Sequence, residues 1–333
     1  MTDALSGKDS LDLSVVLVTY RAEELFQLCV RSLDDAIRAF DGTSELIIVD
    51  NGSQGAVDRA VSGQLSRARR VSIPENVGYT EAVMRGIEQA RGRWIATIND
   101  DVTLDVHALT AMFAAGESDH RVGSVAAQLR FAPPRAGIVN SAGLEIDWLG
   151  IAYDRYVGEP IVASEAECVE VAGASGAAAL LRREMLEELG GFDVSFFGYL
   201  EDVDLAWRAR MAGWRALYEP AAVGYHHHSA TFGHGSATKY FLVGRNRVRL
   251  LAKNATTRQL LKYGPWMLAY DIAYVGFVGT RRRTLAPLRG RLAGIRDWRT
   301  YRRAGAHARR PVKLAPVAGL SSALSRDRAW RTA

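Results

Sequence analysis

Cysteine, glycine-rich phosphate loops and long apolar runs are all missing or scarce in this chain of 333 residues. Its two cysteines, Cys29 and Cys168, stand too far apart for a disulfide framework or a zinc cluster, so two reduced thiols are expected. No G-x-G-x-x-G follows the first strand-like run, which ends at Thr19-Tyr20-Arg21, and no G-x-x-x-x-G-K-[ST] occurs. That argues against a nicotinamide or flavin site and against a P-loop, leaving metal and side chains to hold any phosphate-bearing ligand. The first ten residues are polar with no apolar stretch behind a basic start, so no secretory signal is expected and the chain is expected in the cytoplasm. The most apolar later stretch, residues 265–279, is short and holds Asp271. A bilayer-spanning helix needs about 20 apolar residues, so this segment does not span.

Acidic residues are also scarce in one place. From Ser236 onward the chain carries 22 Lys+Arg against 3 Asp+Glu, a surplus of 19 positive charges that the overall value of +5 hides. The rest is an acidic body with a surplus of 14 negative charges. Hydrophobic residues make up 48% and charged residues 24%, a balance that predicts a folded chain and excludes disorder as the default.

Within the body, apolar runs of strand length alternate with helical spacing. Ser14-Val15-Val16-Leu17-Val18-Thr19 reads as a strand, and residues 24–40 place Leu25, Leu28, Cys29, Leu33, Ala36 and Ile37 at helical intervals. Glu45-Leu46-Ile47-Ile48-Val49 and Val71-Ser72-Ile73 read as further strands, residues 80–90 as a helix, and Trp94-Ile95-Ala96-Thr97-Ile98 as the next strand. This alternation predicts an α/β fold with a mostly parallel sheet flanked by helices. The strands end in polar groups, where open α/β sheets bind ligands. Foremost is Asn99-Asp100-Asp101, carboxylates delivered by a rigid strand, which suits a divalent cation held against phosphate.

Seven motifs follow one another in a telling order: Val18-Thr19-Tyr20, Val49-Asp50-Asn51-Gly52-Ser53, Asn76-Val77-Gly78-Tyr79, Asn99-Asp100-Asp101, Gly190-Gly191-Phe192-Asp193, Glu201-Asp202-Val203-Asp204-Leu205 and His226-His227-His228-Ser229. Over about residues 12–250 the chain resembles the family-2 inverting glycosyltransferases, and among them rhamnosyltransferase-like and galactofuranosyltransferase-like members. The resemblance implies a GT-A-like catalytic domain over residues 12–235, with a nucleotide-binding half (12–104) and an acceptor half (105–235). Residues 1–11 would be an N-terminal tail and residues 236–333 a basic, helical C-terminal extension.

By the same resemblance Asp50 would accept a hydrogen bond from the donor base, with Thr19 and Tyr20 packing base and ribose and Asn76 and Gly78 close to the nucleotide. Asp101 would be a ligand of Mg²⁺ or Mn²⁺, with Asp100 on the ribose and neutral Asn99 where the family's D-x-D form begins. His226 would be a second metal ligand, while His227 and His228 carry no assigned role, because neighbouring side chains of an extended segment point to opposite faces. Asp202 would be the general base, with Glu201 as its rival for that role. Asp204 is expected to anchor the helix or pair with Arg208. His234 is placed in a glycine-flanked loop over the donor.

The implied reaction moves a sugar, L-rhamnose from dTDP-rhamnose in the first instance, to a hydroxyl of a cell-envelope or lipid-linked glycan. A galactofuranosyl or other hexosyl transferase using a UDP-sugar shares the same motifs, and a non-catalytic sugar-nucleotide binding module would keep Asp50 and Asp101 without needing Asp202. Lys239, Arg245, Arg247 and Arg249 would meet pyrophosphate or form a solvated face. The apolar stretch followed by Arg281-Arg282-Arg283 reads as an in-plane anchor on an anionic membrane or as a face for a second subunit. No RNA or DNA motif accompanies the basic stretch, so nucleic acid is not an expected partner.

Overall fold

The first strand, β1 (Leu11–Thr19), is apolar at successive positions, so both of its faces have to be covered. The computed structural model, which describes residues 11–20, 24–57, 68–164, 166–227, 236–305 and 310–317, shows how. Leu13, Val15 and Leu17 pack against α1 (Glu24–Arg38) and α3 (Ala108–Glu117). Val16 and Val18 pack against α2 (Tyr79–Gln89) and, beyond it, α4 (Arg183–Leu189) and α5 (Glu201–Ala212). The core is therefore two layers on either side of one sheet.

Four strands make the expected parallel half. β1 lies between β2 (Ser44–Asn51) and β4 (Gly92–Asn99), and β2 continues to β3 (Arg69–Ile73), every pair parallel. The chain leaves β1 in one direction and returns on its other side as β4, so a topological switch point falls between the C-terminal ends of β1 and β4. Thr19 and Asn99 end on that edge.

Beyond β4 the sheet is mixed. β11 (Ala178–Arg182) runs antiparallel between β4 and β6 (Val122–Phe131), and β12 (Arg215–His226) then pairs parallel with β6. Short antiparallel strands, β5 (Val102–Leu104), β7 (Val139–Ser141) and β10 (Val169–Val171), complete ten strands. A separate hairpin, β8 (Leu144–Ile146) with β9 (Ala152–Asp154), hangs over the switch point. The α/β class with flanking helices is as the sequence suggested, and the antiparallel strands belong to its second half.

The C-terminal helices are α6 (Ala237–Asn254), α7 (Thr257–Arg282) and α8 (Ala286–Ala304). They are built into the body by charge. Asp204 is fully buried at the start of α5 and accepts hydrogen bonds from Arg208 Nε (2.8 Å), Lys253 Nζ (2.9 Å) and Asn254 Nδ2 (2.8 Å). Burial alone would raise its pKa, but Arg208 and Lys253 outweigh burial and hold the carboxyl below the usual range.

Stabilisation by Asp204 is thus complete above the ordinary aspartate value and is lost as pH falls through the folded-state value. We expect Asp204→Asn to cost about 3–5 kcal/mol at neutral pH, because two buried cations lose their partner. Chemical denaturation against pH should show that gap shrinking below about pH 4.

Candidate active site

The switch point opens into a cavity of about 340 Å³, walled by β1, β4, the β8–β9 hairpin, α5 and the start of α6. One wall carries Tyr20, Asn76, Asn99, Asp100 and Asp101. Thr19 sits just behind, 1% exposed, its hydroxyl bonded to the Asp100 carboxylate, which also accepts from the Tyr20 N–H. Burial pushes the Asp100 carboxyl up to about 6, with neighbouring Asp101 adding to the effect and these donors opposing it. Asp50, one residue before the end of the adjacent strand, is in register with Thr19, and its Oδ1 accepts from Ser53 N–H at 2.7 Å, capping the turn that follows.

Asn51 connects this edge to the next turn. Its Nδ2 donates to Asn76 Oδ1 (3.1 Å) and Gly78 O (3.2 Å), and its Oδ1 accepts from Val77 N–H (3.0 Å). Gly78, at φ 88°, sits where a side chain cannot be accommodated. A Cβ there would lie 2.5 Å from the carbonyl oxygen of Phe197, so the close approach it permits is to another part of the chain.

Opposite Asn99, the end of β12 brings His226 against Asp101, with Nε2 and Oδ1 3.3 Å apart. His226 Nδ1 faces Asn140 Oδ1 at 2.9 Å; with the ring proton on Nδ1, the Nε2 lone pair turns toward the carboxylate. Two acceptors face to face need a proton or a cation between them. Ligands at about 2.1 Å on adjacent octahedral positions lie about 3.0 Å apart, so the pair fits two corners of one divalent ion. Among the described residues no third His, Cys, Asp or Glu completes a cluster. Such a site takes its remaining ligands from substrate phosphate and water, the habit of Mg²⁺ in phosphate chemistry. His226 is buried and His227 exposed, the expected alternation, while His228 and His234 lie outside the described residues.

Across the cavity stand Glu201 and Asp202, at the N-terminus of α5. Asp202 is held from both sides: Oδ2 accepts from Gly176 N–H (2.9 Å) and Oδ1 from Val203 N–H (2.8 Å). Burial raises its pKa and those N–H groups pull it back. Glu201 has weaker support, from its own backbone N–H. Burial, with Asp202 second, pushes it up to about 8, and its Oε2 is buried without a hydrogen-bond partner among the described residues. The two N–H groups favour the charge on Asp202, while burial and the Asp202 charge beside it favour the neutral form of Glu201.

The turn that presents this pair is strained. Phe197, Tyr199 and Leu200 all have φ of 67°, a conformation costing a side-chain-bearing residue about 1–3 kcal/mol. Asn246 of α6, fully buried, secures it by donating from Nδ2 to the carbonyls of Phe196 (3.0 Å), Gly198 (2.8 Å) and Tyr199 (2.8 Å). Arg245 donates to Phe196 O at 2.8 Å and Arg249 to Ser195 O at 2.7 Å. On the other side Thr80 N–H of α2 reaches Phe197 O at 3.3 Å.

The structure also brings in Asp154 and Asn140, to which the motifs gave no role, and Lys239, expected to meet pyrophosphate or to face solvent. Asp154, at the end of β9, lines the cavity, bonds to Ser141 and Ser175, and is pushed up to about 6 by burial, with the Asp202 charge adding to it. Lys239 of α6 lines the same wall, its ammonium 5.3 Å from the Tyr199 ring centre, and burial lowers its pKa. Asn140 sits behind His226. Neither Asp154 nor Asn140 belongs to a contiguous pattern, and only the fold collects them.

The profile of the family described as "Glycosyl transferase family 2" matches residues 14–190. The chain belongs to that family. It is thereby a glycosyltransferase, and several relatives fit the assignment. It is 28% identical to the N-acetylglucosaminyl-diphospho-decaprenol L-rhamnosyltransferase of Mycobacterium tuberculosis (strain CDC 1551 / Oshkosh) over 70% of this chain and 85% of that one. A shorter match, 35% identical, is to the dodecaprenyl-phosphate galacturonate synthase of Rhizobium johnstonii (strain DSM 114642 / LMG 32736 / 3841), over 31% of this chain and 32% of the relative. Among solved structures, GalNAc-T7 with UDP, GalNAc and Mn²⁺ superposes with TM-score 0.61 at 15% identity, covering 89% of this chain. This chain spans 58% of that one. The mannosyltransferase PcManGT of Pyrobaculum calidifontis, with GDP-Man and Mn²⁺, superposes with TM-score 0.51 at 19% identity, covering 90% of this chain and 85% of its own. At such identities these two are likenesses of fold, the GT-A-like arrangement expected from the motifs.

In this family-2 enzyme Asn246 acts on the site through the turn it holds. Asn246→Ala leaves three buried carbonyls short of a donor and should cost about 2–4 kcal/mol. Hydrogen exchange across residues 196–203 should quicken with it, and turnover should fall more than nucleotide affinity.

Proposed function

We propose that this glycosyltransferase works by a single inverting displacement in which Asp202 is the base. The observation that carries the reading is the Asp202 carboxylate, buried, raised in basicity and fixed by two backbone N–H groups, across one cavity from the Asp101–His226 pair. Asp202 takes the proton of the acceptor hydroxyl as its oxygen attacks the anomeric carbon from the side opposite the nucleotide diphosphate. No covalent sugar intermediate is needed, so one carboxylate suffices. Glu201, protonated at neutral pH, is a poor base but can donate a hydrogen bond to a sugar oxygen.

Asp101 and His226 are the residues that would hold Mg²⁺ or Mn²⁺, and the ion when bound would neutralise the departing diphosphate. Thr19 and Tyr20 with Asp50, Asn76 and Asn99 would frame the nucleotide, Asp100 would meet the ribose and Gly78 would keep the turn tight beside them. Asp100, Asp154, Glu201 and Asp202 make the cavity acidic, which favours a sugar bearing hydroxyls over one bearing a carboxylate. L-Rhamnose from dTDP-rhamnose is our preferred donor, supported by the mycobacterial relative's name, and a lipid-linked or cell-envelope glycan at the inner face of the membrane is the preferred acceptor. A galactofuranosyl or other UDP-hexosyl transfer would use the same chemistry.

Two carboxamide substitutions separate the roles of the acidic pair. Asp202→Asn should lower kcat by about 100-fold or more while donor binding persists, the scale of a lost general base. Glu201→Gln should keep activity within about threefold, since Gln imitates a carboxyl that is already neutral below about pH 8. The acid limb of the pH–rate profile should stay in place in that variant, because the charge facing Asp202 is unchanged. Equal losses in both would remove Asp202 from its role.

Donor and metal can be read together by thermal stabilisation, since a ligand selective for the folded state raises its melting point. Among nucleotide sugars with Mn²⁺, dTDP-rhamnose should give the largest shift. Asp101→Ala, or a chelator, should abolish most of it; an identical shift in their presence would count against the metal assignment.

A further inference from the structure

Helix α7 runs for 26 residues, yet most of its side chains face solvent. Met267 and Val278 are its buried residues, and it touches the body through a small cluster with Leu149, Leu251 and Ala255. Turned away from that contact are Leu261 (79% exposed), Leu268 (62%) and Ile272 (65%), spaced to fall on one stripe. On α8 Leu288, Leu292 and Ile295 repeat the pattern, with Ile295 59% exposed. Apolar stripes of this size on two successive helices call for an occupant.

The acids of these helices show which one. Each helix has a single carboxylate, and both are engaged by cations of the body-facing side. Asp271 accepts from Arg247 Nε of α6 (2.8 Å) and Arg291 Nη2 of α8 (2.7 Å), and Asp297 pairs with Arg249 of α6. The outward face is left with apolar side chains and exposed cations, among them Arg258, Lys262, Arg281, Arg282, Arg296 and Arg299. A second copy of this chain would bring the same excess of positive charge to the contact, so like would meet like. An anionic lipid surface supplies both an apolar layer and the opposite charge.

We infer that α7 and α8 dock in the plane of an anionic bilayer, with the two apolar stripes at the boundary of headgroups and acyl chains and the flanking arginines on lipid phosphates. No described helix is long and apolar enough to cross a membrane, which fits docking in the plane. The inference goes beyond the transfer chemistry, and vesicle binding is read with neither donor nor acceptor present, so either can fail without the other.

The full chain should float with vesicles of phosphatidylglycerol and phosphatidylcholine at low salt, and far less with phosphatidylcholine alone or at raised salt. Leu268→Glu combined with Ile272→Glu should reduce flotation by about tenfold or more. Its melting temperature should be kept, because both side chains already face water. Three outcomes would overturn the proposal: a wild-type chain that stays at the bottom of the gradient with anionic vesicles, a double variant that floats as well as wild type, or a light-scattering mass of two chains that falls to one in the variant.

Discussion

One buried carboxamide holds the catalytic end of this molecule together. The chain has to turn sharply to place Glu201 and Asp202 at the mouth of α5, and it does so through three side-chain-bearing residues in left-handed backbone geometry. Those conformations are costly, and they persist only where the surroundings over-determine them. Asn246 does this from α6, taking three carbonyls of the turn on one amide nitrogen, and its oxygen accepts from Arg245 Nε at 3.0 Å. Glu201 and Asp202 are thus positioned by a residue more than forty positions later in the chain.

Charge follows the same division of labour. The cavity gathers carboxylates that burial would keep neutral, while α6 carries the cations that make the surrounding acids tolerable. Lys253 bridges Asp193 (2.7 Å) and Asp204 (2.9 Å), Arg249 reaches Ser195 O and Asp297, and Arg247 reaches Asp271 and the carbonyl of Gly150 (3.1 Å). Outside the cavity, Arg208 and Lys253 hold the buried Asp204 carboxyl below the usual range against the effect of burial; acids inside it, such as Glu201 and Asp154, are pushed toward the neutral form by burial. The surplus of negative charge in the body and of positive charge in the tail is the sequence-level trace of this arrangement.

What could be read from sequence was whatever lies in contiguous runs. β1, β2 and β4 are fully buried strands, so they show as unbroken apolar stretches, and the polar residues that stop them mark the ligand edge. His226 was picked out by its resemblance to the family's histidine motif, and Asp204 with Arg208 by helical spacing. Asp154 and Asn140 were not, because they sit in a hairpin and a short strand without periodicity and acquire meaning only when the sheet folds them over the switch point. Asn246 stands between two arginines in a helix that reads as a solvated basic face, and nothing in its neighbours announces that it points inward. The antiparallel β11 was hidden for another reason: a small-residue run, Ala177-Ala178-Ala179-Leu180-Leu181, gives an apolar signal with no direction.

The same hairpin that carries Asp154 links the cavity to the outer helices. Trp148 at its tip stacks on Tyr263 of α7 with ring centres 6.0 Å apart, and Gln259 of α7 donates to the Trp148 carbonyl at 3.1 Å. Arg247 holds the hairpin carbonyls of Leu149 and Gly150 with the same guanidinium that binds Asp271 of α7. The wall of the cavity formed by Ala152, Tyr153 and Asp154 is therefore fastened to the helix whose far side is apolar and basic.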